Sequence, residues 1–308
     1  MTDVTAVIVS HNRKEWLIEC IDAIKRQSRK VEKIIVVDND SSDGTREWLG
    51  DQLDLDIIYQ GNLGGAGGFE SGIRAAHENG STWIWCLDDD VEPIESALDT
   101  MLAYSDISKC INTNKIDLDG NVIELGGFMG LLHTNNDFNK VEGNCVQSKS
   151  DWSDFRGACF EGMLIHRDVV ASTGYPLGDF FIAGDDTLFG LLASLHTKVI
   201  LVKKPLLIKK GVRKIKNKPF FGTVTFHSNF YLYHVIRNSF VVKNLLVARF
   251  NRNQFDLVSK ILIYSLKSLM RSIFIKEMPL EQVWIVMRGV RDGIKFSKKY
   301  NPNYFLER

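Results

Sequence analysis

The alternation of short β-branched runs with amphipathic stretches between Val4 and Asp90 constrains the fold more than any other feature of the sequence. Val4 to Ser10 (VTAVIVS) has no polar alternation, which suits a strand buried on both faces. Over 15–27, Trp16, Leu17, Cys20, Ile21 and Ile24 recur at helical spacing. Lys33 to Val37 reads as a second strand, running into Asp38-Asn39-Asp40, and Asp43 is placed to cap a helix carrying Trp48 and Leu49. Leu55 to Tyr59 is a third strand. A glycine-rich stretch from Gly61 to Gly68 then leads into a helix from Phe69 to Glu78. Thr82 to Leu87 is a fourth strand, stopping at Asp88-Asp89-Asp90. This βαβαβαβ order predicts an α/β fold with a mostly parallel central sheet, right-handed crossovers and flanking helices.

The remainder is less regular. Residues 107–155 are rich in Asn, Asp and Gly and predict loops and short strands. Gly157 to His166 reads as a buried strand, Asp185-Asp186 opens a helix of about ten residues, and Lys198 to Val202 is another strand. Residues 203–219 (KKPLLIKKGVRKIKNKP) read as a basic linker, and the pattern from Phe230 onward is helical. The expected division is a catalytic domain over 1–225 and a basic helical region over 226–308. Charge supports a division of labour. Residues 1–195 hold 15 Lys and Arg against 33 Asp and Glu, whereas 196–308 hold 23 against 5, so the formal net charge of +0 conceals two opposite halves. Mutual attraction of those halves is the simpler explanation, and a separate surface function for the basic part is the other. The five cysteines form no CxxC pair and their number is odd, which points to reduced thiols and a cytoplasmic setting. The N-terminus lacks a basic stretch followed by an apolar core, so no secretory signal is expected.

In an open parallel sheet, ligands bind beyond the carboxyl ends of the strands. Four polar clusters fall there: Ser10-His11-Asn12-Arg13, Asp38-Asn39-Asp40, the glycine-rich stretch with Gly64 and Gly65, and Asp88-Asp89-Asp90. Three consecutive carboxylates repel one another, and a divalent cation relieves that repulsion. In an extended segment Asp88 and Asp90 share a side, which makes them the pair for Mg²⁺ or Mn²⁺. A helix cap would need one Asp rather than three. The glycine stretch lacks both a Walker lysine and a GxGxxG spacing, so ligand contact and a plain tight turn remain equal alternatives for it. Asp185-Asp186 follows the apolar run Phe180 to Ala183, where a carboxyl can acquire the raised pKa of a general base, or can simply cap a helix.

In this order the motifs VIVSHNR (7–13), VVDNDSSDGT (36–45), GNLGGAGGF (61–69), CLDDDV (86–91), GDD (184–186) and YLYHVIRN (231–238) resemble the family 2 glycosyltransferases of GT-A fold. The glycine loop and triple Asp are most similar to those of bacterial galactofuranosyltransferases and, next, rhamnosyltransferases. The resemblance implies that Asp38 accepts a hydrogen bond from a uracil or thymine ring, that Ser10 and Arg13 contact the nucleotide, and that Asn62 and the glycines line the sugar-nucleotide pocket. It implies Asp88 and Asp90 on a metal, Asp89 on the sugar, Asp186 as the base with Asp185 beside it, and Trp152 and Phe160-Glu161-Gly162 on the acceptor side. One departure stands out. Relatives place a metal-ligating His a little over twenty residues past the base, where this chain reads Lys209-Lys210. A protonated Lys cannot ligate a metal. Three alternatives follow: His227 substitutes, the metal has fewer protein ligands, or Lys210 serves as a cation for the diphosphate.

The implied function is an inverting, metal-dependent transfer of galactofuranose from UDP-galactofuranose, or of rhamnose from dTDP-rhamnose, to a glycan or lipid-linked acceptor in cell-surface polysaccharide synthesis. A nucleotidyltransferase would need a basic Gly-rich loop after the first strand, which SHNRKEW does not provide. A non-catalytic sugar-nucleotide or polysaccharide-binding protein would have no need of Asp186. The basic helices suit peripheral contact with an anionic membrane on its cytoplasmic face, or a bundle or homo-oligomer interface. Nucleic acid is not an expected partner, because no recognition motif is present.

Overall fold

The computed structural model describes residues 3–123, 150–155, 157–211, 215–218, 222–225, 228–275 and 279–307. These residues form two compact units. One holds 3–123, 150–155, 157–181 and 185–211, and the other holds 182–184 together with the described residues from 215 on.

The first unit is built on a ten-stranded sheet. Strands β1 (Val4–Ser10), β2 (Lys33–Asn39), β3 (Asp56–Gln60) and β4 (Trp83–Asp88) run parallel in the order β3-β2-β1-β4. They are linked by α1 (Lys14–Lys25), α2 (Thr45–Gly50) and α3 (Gly64–Glu78). β1 explains its own sequence. Ala6 and Ile8 join a cluster with Leu17, Ile21 and Ile24 of α1, while Val7 and Val9 join another with Phe69 and Ile73 of α3. Both faces of the sheet are covered, so the strand is apolar throughout rather than alternating.

Beyond β4 the sheet becomes mixed. β5 (Val91–Pro93) and α4 (Ala97–Leu102) follow the acidic triad, then β6 (Cys110–Ile116), β7 (Val122–Ile123) and β8 (Trp152–Asp154). The expected strand over 157–166 is confined to β9 (Leu164–His166), which lies antiparallel to both β4 and β6. α5 (Arg167–Thr173) and α6 (Asp185–Ala193) precede β10 (Val199–Lys209), which pairs with β6, β8 and β5.

Three local expectations are corrected. The glycine stretch is helix, not loop: α3 begins at Gly64. A side chain at Gly68 would collide with Val9, and one at Gly72 with Val7, so these glycines let the helix lie close against β1. Residues 203–209 are not linker, because β10 continues through them. Pro205 removes a donor, and the strand accommodates it with a register shift against β6 between Val202 and Leu207. Asp43 does not cap α2 directly. The cap position is Gly44, and Asp43 accepts from the backbone amides of Thr45 and Lys14 at 3.2 and 3.0 Å, holding the starts of α2 and α1 together.

The second unit contains a hairpin, Ile215–Lys218 with Gly222–Thr225, and the helices α7 (Asn229–Phe250), α8 (Gln254–Ile275), α9 (Pro279–Lys299) and α10 (Pro302–Glu307). α7 and α9 approach closely where Gly289 and Gly293 face Ile236 and Phe240. The Asn244 amide donates to the carbonyls of Ser297 and Tyr300 at 2.9 and 2.8 Å. Asn238 is fully buried, and its amide donates to the carbonyls of Ile182 and Ala183 at 2.9 and 2.8 Å. No described helix is long and apolar enough to cross a membrane.

Candidate active site

The carboxyl ends of β1, β2 and β4 and the start of α3 bring the expected residues to one edge of the sheet. Asp38 at the end of β2 is fully buried. Its Oδ1 accepts from the Ser41 amide at 3.1 Å, and its Oδ2 has no partner among the described residues. A buried carboxylate oxygen without a donor is costly unless a bound molecule supplies one. Asn39, which the sequence placed in a polar cluster without a role of its own, organises the neighbouring turn. Its amide donates to the Gly64 carbonyl at 2.7 Å, and its Oδ1 accepts from Gln60 at 2.8 Å. Asn62 accepts from the Gly64 amide at 3.0 Å, fixing the entry to α3. Gly65 leaves open space where a side chain would stand.

The acidic triad sits in a web of cations. Ser10 Oγ donates to Asp89 Oδ2 at 2.9 Å, and Arg13 donates to Asp89 Oδ1 at 3.0 Å and to Asp90 Oδ2 at 3.1 Å. Both oxygens of Asp89 are therefore engaged within the protein, whereas the resemblance implies contact with the sugar. Burial pushes the Asp89 carboxyl up, against the lowering effect of Arg13 and Ser10. The other oxygen of Asp90 accepts from Lys209, whose ammonium also lies 3.5 Å from Asp88 Oδ2 and 3.2 Å from Glu161 Oε1. Burial alone would lower the Lys209 pKa, but Asp88, Glu161 and Asp90 outweigh it and hold the ammonium protonated well above its ordinary range. Lys115, buried on β6, pairs with the second oxygen of Glu161. Burial would raise Glu161, and the two lysines hold it well below the ordinary carboxylate range.

Strand pairing explains the position of Lys209. β5 follows the triad directly, and its antiparallel register sets Lys209 opposite Val91, one residue past Asp90. Lys210 faces the other way and pairs with Glu19 and Glu92, so the lysine that meets the acidic cluster is Lys209 rather than Lys210. The apolar run Leu206-Leu207-Ile208 just before Lys209 carries a strand signal that the flanking lysines and Pro205 obscure.

The expected metal site consisted of Asp88, Asp90 and His227. His227 lies outside the described residues. The position between Asp88 and Asp90 that a divalent cation would share is occupied by the Lys209 ammonium. Among the described residues no cluster of three His, Cys, Asp or Glu side chains is arranged to hold a metal ion. Among the described residues this donor set, already neutralised by a side-chain cation, does not fit a divalent metal.

Asp185 and Asp186 open α6 after a left-handed backbone turn in which Phe181, Ala183 and Gly184 have φ of 64°, 69° and 85°. Asp185 is buried, and desolvation raises its carboxyl. Asp186 is raised first by desolvation and then by the charge of Asp185, to about 7. Its Oδ1 accepts from the Thr187 amide at 2.6 Å. The charge of Glu161 acts on both Asp186 and Asp88, so the base candidate and the acidic triad share one electrostatic field. Trp152 packs at the β10 edge of the core with Lys198 over its ring at 4.5 Å.

Comparison with known proteins places this geometry. Residues 5–138 match the family model for Glycosyl transferase family 2. Galactofuranosyltransferase GlfT1 of Mycolicibacterium smegmatis is 32% identical over 208 residues, covering 64% of this chain and 65% of that protein. GlfT1 of Mycobacterium tuberculosis is 38% identical over 109 residues, covering 33% of this chain and 36% of the relative. Among solved structures, S. aureus TarS 1–349 in complex with UDP-GlcNAc aligns with a TM-score of 0.60 at 14% identity, covering 95% of this chain and 81% of that one. GalNAc-T7 with UDP, GalNAc and Mn²⁺ aligns at 0.55 with 13% identity, covering 80% of this chain and 50% of that one. The fold is the GT-A glycosyltransferase fold. Residues 5–138 thus match a family 2 glycosyltransferase domain, and the chain is similar in sequence to mycobacterial galactofuranosyltransferases, of which it spans 65% of the length in the longer match and 36% in the shorter.

Proposed function

We propose that the chain is an inverting glycosyltransferase that moves galactofuranose from UDP-galactofuranose to a hydroxyl of a glycan or lipid-linked acceptor. The observation that carries this is the convergence at one sheet edge of Asp38, whose buried Oδ2 has no partner among the described residues, with the acidic triad held by Arg13 and Lys209, in a chain 32% identical to a galactofuranosyltransferase. The unpartnered Oδ2 of Asp38 suits the N–H of a uracil ring. UDP is favoured over dTDP because the TarS and GalNAc-T7 structures hold uridine nucleotides, and galactofuranose is favoured by the sequence relatives.

The acceptor oxygen attacks the anomeric carbon in line with the leaving diphosphate. The new C–O bond forms as the bond to the β-phosphate oxygen breaks, so configuration inverts and UDP departs with the electron pair. Asp186 takes the acceptor proton, and its raised pKa makes it a stronger base than an ordinary aspartate. Arg13 and the neighbouring cations lower the energy of the charge that develops on the diphosphate. The test is UDP release and glycoside formation from UDP-galactofuranose, with UDP-galactopyranose, UDP-glucose and dTDP-rhamnose as competitors. Preference for another donor would overturn the sugar assignment, and no turnover of any donor would overturn the enzyme assignment.

We also infer that α8 rests on an anionic membrane surface. Phe255, Leu262, Ile263, Leu266 and Met270 are exposed along this helix, with Lys267 among them. Co-sedimentation with phosphatidylglycerol vesicles, reduced by Phe255→Ser with Leu266→Ser, is the expected result. Concentration-dependent dimerisation lost in the same variant would assign the face to a second copy instead.

A further inference from the structure

Lys209 places its ammonium among Asp88, Asp90 and Glu161, two of which were the expected metal ligands. Its ammonium is placed by backbone pairing: β5 and β10 are in register from Pro93 with Leu207 to Val91 with Lys209. Three carboxylates surround it, Asp90 in direct contact, Glu161 at 3.2 Å and Asp88 at 3.5 Å. The ammonium donates to Asp90 and, at 3.5 Å, to Asp88, and pairs with Glu161 as well, so acidic groups take up its donors. The Lys209 side chain is only 12% exposed, so it is a built part of the site rather than a surface lysine folded over it. Gly211 continues the same wall, where any side chain would overlap Asp90.

We propose that Lys209 is the resident cation of this active site and replaces the divalent metal, so that donor binding is independent of Mg²⁺ and Mn²⁺. The Asp88 contact is the longest of the three, and its place about the ammonium is the one a diphosphate oxygen takes when the donor enters. Arg13 supplies the second positive charge. It is held by Asp89 and Asp90 while its side chain stays 44% exposed and open to the ligand. Together the two side chains provide the charge of one divalent ion, fixed covalently to the protein.

The diphosphate part of this inference rests on the donor assignment above, whereas the exclusion of metal does not. Two titrations on the full chain separate them. The first is calorimetric binding of UDP in EDTA and in Mn²⁺. The expected result is equal affinity in both conditions for the native chain, with a loss of about tenfold or more in folded Lys209→Ala. Lys209→His, which restores an imidazole beside two carboxylates, is expected to bind UDP only with Mn²⁺. Native affinity that vanishes in EDTA and returns with Mn²⁺ would overturn the proposal, as would unchanged affinity in Lys209→Ala. The second uses Mn²⁺ alone, followed by its electron paramagnetic resonance signal, and decides the matter even if UDP does not bind. Refusal of Mn²⁺ by the native chain and uptake by Lys209→His or Lys209→Ala supports the proposal. Stoichiometric uptake by the native chain that Asp90→Asn abolishes, or refusal by every variant, overturns it.

Discussion

The backbone amide of Ala66 donates to the carbonyl oxygen of Phe181 at 3.1 Å, joining the first turn of the glycine-rich helix to the segment that leads into Asp185-Asp186. Gly64 makes this approach possible. It has φ of +70°, and a side chain there would overlap the Phe181 carbonyl. Gly64→Ala must therefore distort the helix start, the Phe181 turn, or both. The expected cost is about 2–4 kcal/mol, read as a fall in Tm of roughly 5–10 °C with loss of transferase activity. Gly65→Ala is the control. Nothing lies within 4 Å of its side-chain position, so its Tm should stay the same or rise slightly. A Gly64→Ala protein as stable and active as native would refute the close approach.

Asp186→Asn should abolish proton transfer while preserving the shape of the site. The expected loss in kcat is about 10²–10⁴-fold, with UDP affinity within about twofold of native, because Asp186 makes no contact with the proposed diphosphate cations. Steady-state kinetics and UDP calorimetry on the same preparation test this. Near-normal turnover would remove Asp186 from the role of base.

The raised carboxyls predict two opposite pH effects. With Asp186 as the proposed base, activity would need its carboxyl ionised, so kcat/KM should climb with pH and level off above about 7. Because Asp185 contributes to that shift, Asp185→Asn should move the acid limb to lower pH. Stability should run the other way. At low pH the two carboxyls are protonated in both states and cost nothing. Between the ordinary Asp pKa of about 4 and the folded values, the unfolded chain ionises while the folded chain resists, so folding stability falls as pH rises. Asp186→Asn should therefore be more stable than native at pH about 8, by on the order of 1 kcal/mol, and the advantage should shrink towards pH about 4. An advantage that does not vary with pH would separate it from ionisation. An advantage that grows with pH as expected would mean that the proposed base is held at some cost to the fold, as active sites commonly are.

Much of this was legible in the sequence because the parallel half of the sheet writes its burial directly into composition. β1 is apolar at every position since α1 and α3 cover both its faces, and each of the four strands was placed to within two residues. The candidate residues also emerged, since strand ends in such a sheet are where polar side chains can converge. Two things were not legible. Helix α3 starts among glycines, which local propensity reads as loop. Only the tertiary contact of Gly68 with Val9 and of Gly72 with Val7 turns those glycines into packing residues. Lys209 was masked by its lysine-rich surroundings and by Pro205. Its role depends on antiparallel pairing with β5, a contact between residues 91 and 209 that no local pattern encodes.

Asn238 belongs to the YLYHVIRN segment, which the sequence singled out without a role. Its buried amide holds the carbonyls of Ile182 and Ala183, and Ala183 and Gly184 take the left-handed conformation immediately before Asp185. Ala183 pays a steric penalty there that glycine would not, so the turn needs an external hold. Asn238→Ala leaves both carbonyls without that donor and frees the turn that immediately precedes Asp185 in the chain. The expected result is a fall of about tenfold or more in kcat with the KM for donor little changed, because the groups assigned to the nucleotide lie elsewhere in the sequence. Asn238→Asp, which keeps the shape but replaces the donating amide with an acceptor, should be at least as impaired. A purely structural role would lower Tm in both variants without splitting kcat from KM. Combining Asn238→Ala with Asp186→Asn sharpens the test. If Asn238 acts by positioning the base, the double variant should be no slower than Asp186→Asn alone. Additive losses would show that Asn238 serves the site by some route other than Asp186.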